Sequence, residues 1–295
     1  MPQVIRADVL GYCFGVRRAV EKARSVRREF PGAEVLTYGP LIHNPAALET
    51  LGREGIRALD DGVPAEEIPP DAAVVIRAHG VPPAVRAALK KRAALLVDAS
   101  CPRVLANQKK AAELARRGCT VAVAGDRKHA ETLAIAGSAG GCGIIEDRAG
   151  AEAFAAALLA RGRPRKVALL AQTTIGQGEY DAIAGALRAA FPDLTEWGEI
   201  CPATVERQGA LEKLCREADG VLVVGGRASA NTRRLFASAQ GYARNPAYRA
   251  RLAALIESAG EIPGEFFSLP VAGITAGAST PDETIQAVEE ALGTR

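Results

Sequence analysis

Three cysteines share one arrangement: an apolar strand-like run, the cysteine, then a helix-period segment. Cys13 stands in VIRADVLGYCFGVRRAVEKA, Cys101 in AALLVDASCPRVLANQKKAAELA and Cys201 in LTEWGEICPATVERQGALEKL. A sulfur so placed lies at the carboxyl end of a strand and at a helix N-terminus, where the helix dipole favours the thiolate that ligates metals. The three sites are 88 and 100 residues apart, so the thiols come from separate segments. Three thiolates point to a metal or iron–sulfur site, and three ligands leave one coordination position for a substrate.

The chain has only three histidines, and each lies in a loop between a strand pattern and a helix pattern: His43 in GPLIHNP, His79 in VVIRAHGVPP and His129 in VAGDRKHAE. Imidazoles at strand ends bind anions, donate protons near neutral pH or ligate metals; the plain alternative is three loop histidines. Glu131 follows His129 by two residues and suits a general acid, or a solvated place on a first helical turn. Gln172, Thr173 and Thr174 close the run KVALLAQTT, where hydroxyls contact a ligand or cap the next helix. GGRASANTRRL supplies Ser229 and Asn231, and GITAGASTPDET supplies Ser279 and Thr280, each in a small-residue turn leading into a helix, a good anion site. No P-loop and no strand-borne G-x-G-x-x-G occurs, so a nucleotide cofactor is not supported. Cys119, Cys142 and Cys215 fit core positions better than ligand positions.

Elements must bring these residues to strand ends. Strands are expected at VIRADVL, EVLTYG, AAVVIRAHG, AALLVDAS, TVAVAG, KVALLAQTT, GVLVVGG and VAGITAG, with helices between them. In VRRAVEKARSVRREF, Val16, Ala19, Val20, Ala23 and Val26 form one apolar face. The alternation predicts βα units with mainly parallel strands, whose functional loops gather at the strands' carboxyl ends. The 295 residues accommodate three units of about 100, a usual domain size. Breaks are expected near Cys101 and in FPDLTEWGEI before Cys201. The net charge of +3 is small and its cations look scattered, which excludes a nucleic-acid footprint. No signal peptide and no membrane-length apolar run is present, so a cytoplasmic protein with reduced or metal-bound cysteines is expected.

Taken together, YCFGVRRAV, IHNP, RAHG, DASCP, HAE, QTT, ICPAT with RQ, and GITAGASTPD resemble the 4-hydroxy-3-methylbut-2-enyl diphosphate reductases, the LytB family, from about Ala7 to the C-terminus. The resemblance implies an α/β trefoil of three domains with mainly parallel sheets around a central Fe–S site. The domains are expected over 14–100, 101–199 and 200–295, the last completed by the N-terminal strand 1–13. It implies a 4Fe–4S cluster on Cys13, Cys101 and Cys201. It assigns His43 and His79 to the substrate diphosphate, with Ser229, Asn231, Ser279 and Thr174 as further polar pocket residues. His129, Glu131 and Thr173 would deliver protons, with His129 and Thr173 also lining the substrate. The implied reaction is a two-electron, two-proton removal of an allylic hydroxyl, completing the methylerythritol phosphate route to isoprenoids. Electrons would come from a ferredoxin- or flavodoxin-type protein, and the chain would act as a monomer without nucleic acid or membrane.

The sequence departs from the family pattern in three places. Ala130 stands where a proline is usual, Ala230 stands where a second pocket serine is usual, and 241–269 diverges. A paralogue with another substrate, a non-redox Fe–S lyase, a three-thiolate zinc protein and a non-catalytic binding module are the competing readings. The zinc reading lacks the usual C-x₂₋₄-C pairs.

Overall fold

The computed structural model describes residues 1–162 and 166–293. After β1 (Gln3–Arg6) and α1 (Phe14–Glu29) come β2 (Val35–Tyr38), α2 (Pro45–Arg53), β3 (Ile56–Ala58), β4 (Ala73–Ile76), α3 (Pro83–Arg92) and β5 (Leu95–Asp98). Next are α4 (Pro102–Arg116), β6 (Thr120–Ala124), α5 (Ala130–Ser138), β7 (Gly143–Ile145), α6 (Arg148–Ala160), β8 (Val167–Ala171), α7 (Gln177–Ala190) and β9 (Thr195–Trp197). The chain closes with α8 (Pro202–Glu217), β10 (Gly220–Val224), α9 (Ala230–Arg244), β11 (Leu252–Ile256), β12 (Val271–Ala276) and α10 (Asp282–Gly293). Three short 3-10 turns complete the described elements.

The strands form three four-stranded sheets, β1-β12-β10-β11, β5-β4-β2-β3 and β9-β8-β6-β7. Pairing is parallel between β1, β12, β10 and β11, between β2, β4 and β5, and between β7, β6, β8 and β9. Written in this direction the three sheets have one strand order. The chain through β2–β5 and again through β6–β9 runs third strand, outer edge, second strand, cysteine-side edge. The last sheet repeats that path but takes its cysteine-side edge, β1, from the start of the chain. Three parallel-sheet α/β units result.

The two inner strands of each sheet are mostly apolar, interrupted by Thr37, Thr120 and Thr275, because a parallel sheet with helices on both faces buries both sides of its centre. β4, β8 and β10 are buried at every residue. Each fully buried Val, Leu or Ile is worth about 1.5–3 kcal/mol against exposure. The face of α1 formed by Ala19, Val20, Ala23 and Val26 is buried as its 3.6-residue period requires. Three strands absent from the sequence reading, β3, β7 and β11, are outer members of their sheets, as is β9, which lies in the strand-like run read before Cys201. The segment FPDLTEWGEI, read as a break, contains β9, and the divergent 241–269 contains β11.

By internal packing the described chain divides into two compact units. One comprises Met1–Val20, Ile42–Ile56 and the chain from Pro202; the other comprises Glu21–Leu41 and Arg57–Cys201. The first contains the β1-β12-β10-β11 sheet, and the second contains most of the other two. Among the described residues no helix is long and apolar enough to cross a membrane.

Candidate active site

Each cysteine expected to bind metal follows the same edge of its sheet: Cys13 after β1, Cys101 after β5 and Cys201 after β9. Each donates its backbone N–H to the carbonyl two residues beyond the neighbouring strand. Cys13 N reaches Ala278 O at 3.1 Å, Cys101 N reaches Ala78 O at 2.8 Å, and Cys201 N reaches Thr173 O at 2.9 Å. The acceptor turns are those that carry Ser279, His79 and Thr173. The repeat therefore extends from strand order to individual hydrogen bonds. Cys101 is the N-cap of α4, but its sulfur makes no capping bond, and Pro102 supplies the first turn. None of the six cysteines is in a disulfide.

Helices following the third strands bring in the remaining polar residues. Asn44, His129 and Ser229 are the N-caps of α2, α5 and α9, and each side chain accepts a backbone N–H of its own first turn. His129 Nδ1 accepts from Glu131 N at 3.2 Å. An acceptor at Nδ1 places the proton of the neutral ring on Nε2, leaving an outward donor. The His79 ring meets His129 edge-on, with centroids 5.1 Å apart.

Glu131 occupies the second residue of α5 and is 1% exposed. Its Oε1 accepts from Thr173 N at 2.7 Å and its Oε2 from Thr173 Oγ1 at 2.9 Å. Carboxylate and threonine are thus one hydrogen-bonded unit, joined through the Thr173 carbonyl to the Cys201 N–H. Gln172, fully buried, accepts from Asp126 N at 2.9 Å and donates to Thr174 Oγ1 at 2.8 Å, which pins the His129 loop to the end of β8. Gly125 carries φ +155, and a Cβ there would meet Gln172 Oε1 at 2.6 Å, so the turn requires glycine.

In the first unit, Asn231 Oδ1 accepts from Ala278 N at 3.1 Å, and Ser279 Oγ donates to His43 O at 3.1 Å. A Cβ on Gly226 would lie 2.5 Å from that same carbonyl, so the β10 turn passes close against the His43 backbone. Asn231, second residue of α9, occupies the place that Glu131 holds in α5. Arg207 of α8, 1% exposed, donates to Ala276 O at 3.1 Å and Gly11 O at 3.0 Å. It clamps the turn before Cys13 to the turn before Ser279. Sequence reasoning noted Arg207 only as part of a motif and Gln172 only as a strand terminus; no local signal marks a brace.

Asp98 entered the sequence reading only as the first residue of the DASCP motif. It ends β5, pairs with Arg86, and accepts from Ser100 N at 2.9 Å. Burial opposes its charge, but Ser100 and Arg86 outweigh burial and hold the carboxyl below its ordinary range. The remaining cysteines pack as core residues. Cys215 is fully buried on α8, and Cys119 and Cys142 pack against the cluster of Val121, Val123 and Leu170. Burial pushes the thiols of Cys142 and Cys215 up to about 12.

Ala230 is 3% exposed in the first turn of α9. Of the nearby cations, Arg227 is held by Glu257 and Glu261, and Arg233 by the carbonyls of Arg227 and Ala228. Neither substitutes for the hydroxyl that Ala230 lacks.

The model of one family, described as LytB protein, matches residues 4–293. A relative from Treponema denticola named 4-hydroxy-3-methylbut-2-enyl diphosphate reductase is 44% identical, over 98% of each chain. One of the same name from Aquifex aeolicus is 33% identical over 99% of this chain and 96% of its own. Among solved structures, the E-1-hydroxy-2-methyl-but-2-enyl-4-diphosphate reductase from Plasmodium falciparum aligns with TM-score 0.87 and 25% identity, covering 98% of this chain and 87% of that one. A second, an (E)-4-hydroxy-3-methyl-but-2-enyl diphosphate reductase described as the terminal enzyme of the non-mevalonate pathway, aligns with TM-score 0.70 and 32% identity over both whole chains.

Proposed function

The chain belongs to the LytB family, and from that membership we propose that it reduces 4-hydroxy-3-methylbut-2-enyl diphosphate to isopentenyl and dimethylallyl diphosphates. The allylic C–O bond breaks, two electrons and two protons enter, and the hydroxyl leaves as water. The observation that supports this most is the repeated edge geometry. It gives three cysteines of three segments the same backbone anchor, each beside a turn bearing a polar pocket residue.

The donor set fits an iron–sulfur group: three thiolates at helix N-termini, none in a disulfide and none with C-x₂-C spacing. Cys13, Cys101 and Cys201 would hold a 4Fe–4S cluster. When bound, such a cluster supplies electrons singly and offers Lewis acidity toward the hydroxyl at an iron without a protein ligand. The rest of the work falls to side chains. His43 and His79, with Ser229, Asn231, Ser279 and Thr174, bind and orient the diphosphate, assisted by the N-termini of α2 and α9. Thr173 Oγ1 donates to Glu131 Oε2 at rest. Once Glu131 takes up a proton the bond reverses: the acid donates to Oγ1 and the hydroxyl passes its own proton onward, while His129, fixed as the Nε2–H tautomer, is the second donor. Three domains, 14–100, 101–199 and 200–295 with strand 1–13, would each carry one sheet. Electrons arrive from an external ferredoxin- or flavodoxin-type carrier.

The test is anaerobic turnover of the purified, brown protein with the hydroxylated allylic diphosphate and reduced methyl viologen. Both five-carbon diphosphates are expected in place of substrate, with reductant oxidised only when substrate is present. Loss of substrate to a dehydrated product without oxidation of reductant would instead indicate a lyase.

A further inference from the structure

Cations that look scattered in the sequence gather on one face of α4. Arg103, Lys109, Lys110, Arg116 and Arg117 recur at spacings of three, four and seven residues, which places them along one side of the helix with Ala106 and Glu113. Glu113 is the one carboxylate among them, pairing with Lys110 at 3.3 Å and Arg117 at 3.1 Å. Arg103, Lys109 and Arg116 are exposed, and among the described residues none of the three pairs with a carboxylate. Beside the helix lies an open groove of about 680 Å³ lined by Ala106, Lys109, Lys110, Glu113, Arg116 and Trp197. Lys110 Nζ stands 4.7 Å from the centre of the Trp197 ring. Glu196, the nearest acid on β9, is turned to Arg188 at 2.6 Å and does not offset the groove's charge.

We propose that this groove docks a small acidic one-electron carrier protein, the source of the reaction's reducing equivalents. The inference rests on the reductase reading above. Two covalent connections lead from the groove to proposed cluster ligands. The α4 helix begins at Cys101, and at 1.5 Å per residue Lys109 lies about 12 Å from it along the axis. Trp197 ends β9, four residues before Cys201. The sequence offers no nucleotide site of its own, so each of the two electrons must cross a protein–protein contact, leaving the carrier oxidised by one electron per encounter. Five cations against one carboxylate select a partner of opposite charge and steer its approach. A half-exposed tryptophan held under a lysine supplies the rigid aromatic anchor typical of interface centres.

The experiment uses the cluster-loaded enzyme and two donors, reduced methyl viologen and a reduced acidic plant-type [2Fe–2S] ferredoxin. In Lys109→Glu/Arg116→Glu, turnover with methyl viologen should stay within about twofold of wild type. The ferredoxin-supported kcat/KM should fall roughly ten- to a hundredfold, and its decline with added salt should flatten. A titration of ferredoxin against each enzyme, followed by calorimetry, should show the same weakening without turnover. Ferredoxin activity and binding unchanged in the double variant would overturn the docking surface, as would equal losses with both donors. No methyl viologen turnover in the wild type would count against the reductase reading alone, and the calorimetric titration would still decide the surface.

Discussion

Replacing Glu131 by glutamine removes a group that can take up and release a proton while keeping almost all of the shape. The carboxylate is 1% exposed, and its two oxygens accept from Thr173 N at 2.7 Å and Thr173 Oγ1 at 2.9 Å. A glutamine in that rotamer still accepts the backbone N–H through Oε1. Its amide donates to Oγ1, which rotates to become an acceptor. Two charge-assisted hydrogen bonds become two neutral ones, a loss of about 2–3 kcal/mol, since bonds to charged groups contribute about 1.5–3 kcal/mol each against about 0.5–1.5 for neutral ones. Folding and substrate affinity should survive, whereas loss of a positioned acid should slow turnover by roughly 10²–10⁴. Thr173→Val removes the hydroxyl partner and should slow turnover through the same route. The double variant should be little slower than Glu131→Gln, because residues acting as one unit are not additive. The assay is anaerobic single-turnover kinetics of the four proteins, with iron, sulfide and substrate affinity measured on each sample. Turnover of Glu131→Gln above half of wild type would refute the proton role, as would a drop matched by loss of iron or of binding. Strict additivity in the double variant would refute the single unit.

Three further outcomes follow from neighbouring contacts. Arg207→Met removes a buried fork from Gly11 O and Ala276 O, so it should destabilise by about 3 kcal/mol or more and release iron more readily, with Arg207→Lys retaining part of both; thermal melting and iron release to a chelator read this, and wild-type behaviour in Arg207→Met would remove the brace. Asp98 has a folded-state pKa below its unfolded value, so its contribution is complete above the unfolded pKa and fades as pH falls through the folded one; Asp98→Asn should lower Tm at pH 7 and flatten its fall below about pH 4, and parallel Tm–pH curves for the two proteins would contradict the assignment. Ala230→Ser should tighten substrate up to about tenfold, because Arg227 and Arg233 are held elsewhere and a hydrogen bond to a charged group contributes about 1.5 kcal/mol or more; anaerobic titration checks it, and unchanged or weaker binding would place the diphosphate away from the first turn of α9.

The inner strands were legible because burial on both faces favours continuous apolar runs, as in AAVVI and GVLVV. β3 and β7 are three residues long and partly exposed, so they carry neither a long apolar run nor a clean alternation. β11 was obscured because LAALI also suits a helix. The cysteines announced themselves by standing between a strand and a helix. The shared strand order did not, because the last sheet borrows β1 from the other end of the chain and the three segments have diverged in sequence. Hydrogen-bonded partners at long range, such as Glu131 with Thr173 or Arg207 with Gly11, leave no periodic trace in the chain. The basic face of α4 became visible only once helix geometry set Arg103, Lys109 and Arg116 on one side.

The account turns on the equivalence of Cys13, Cys101 and Cys201. Iron and acid-labile sulfide per chain, measured anaerobically on wild type and on each of the six single Cys→Ser variants, tests it directly. About four of each are expected in wild type, Cys119→Ser and Cys142→Ser, with a clear loss in Cys13→Ser, Cys101→Ser and Cys201→Ser; Cys215→Ser, fully buried, should keep its cluster wherever it remains folded. Full iron and sulfide in any of the three strand-end variants, or a cluster lost from folded Cys119→Ser or Cys142→Ser, would contradict the account.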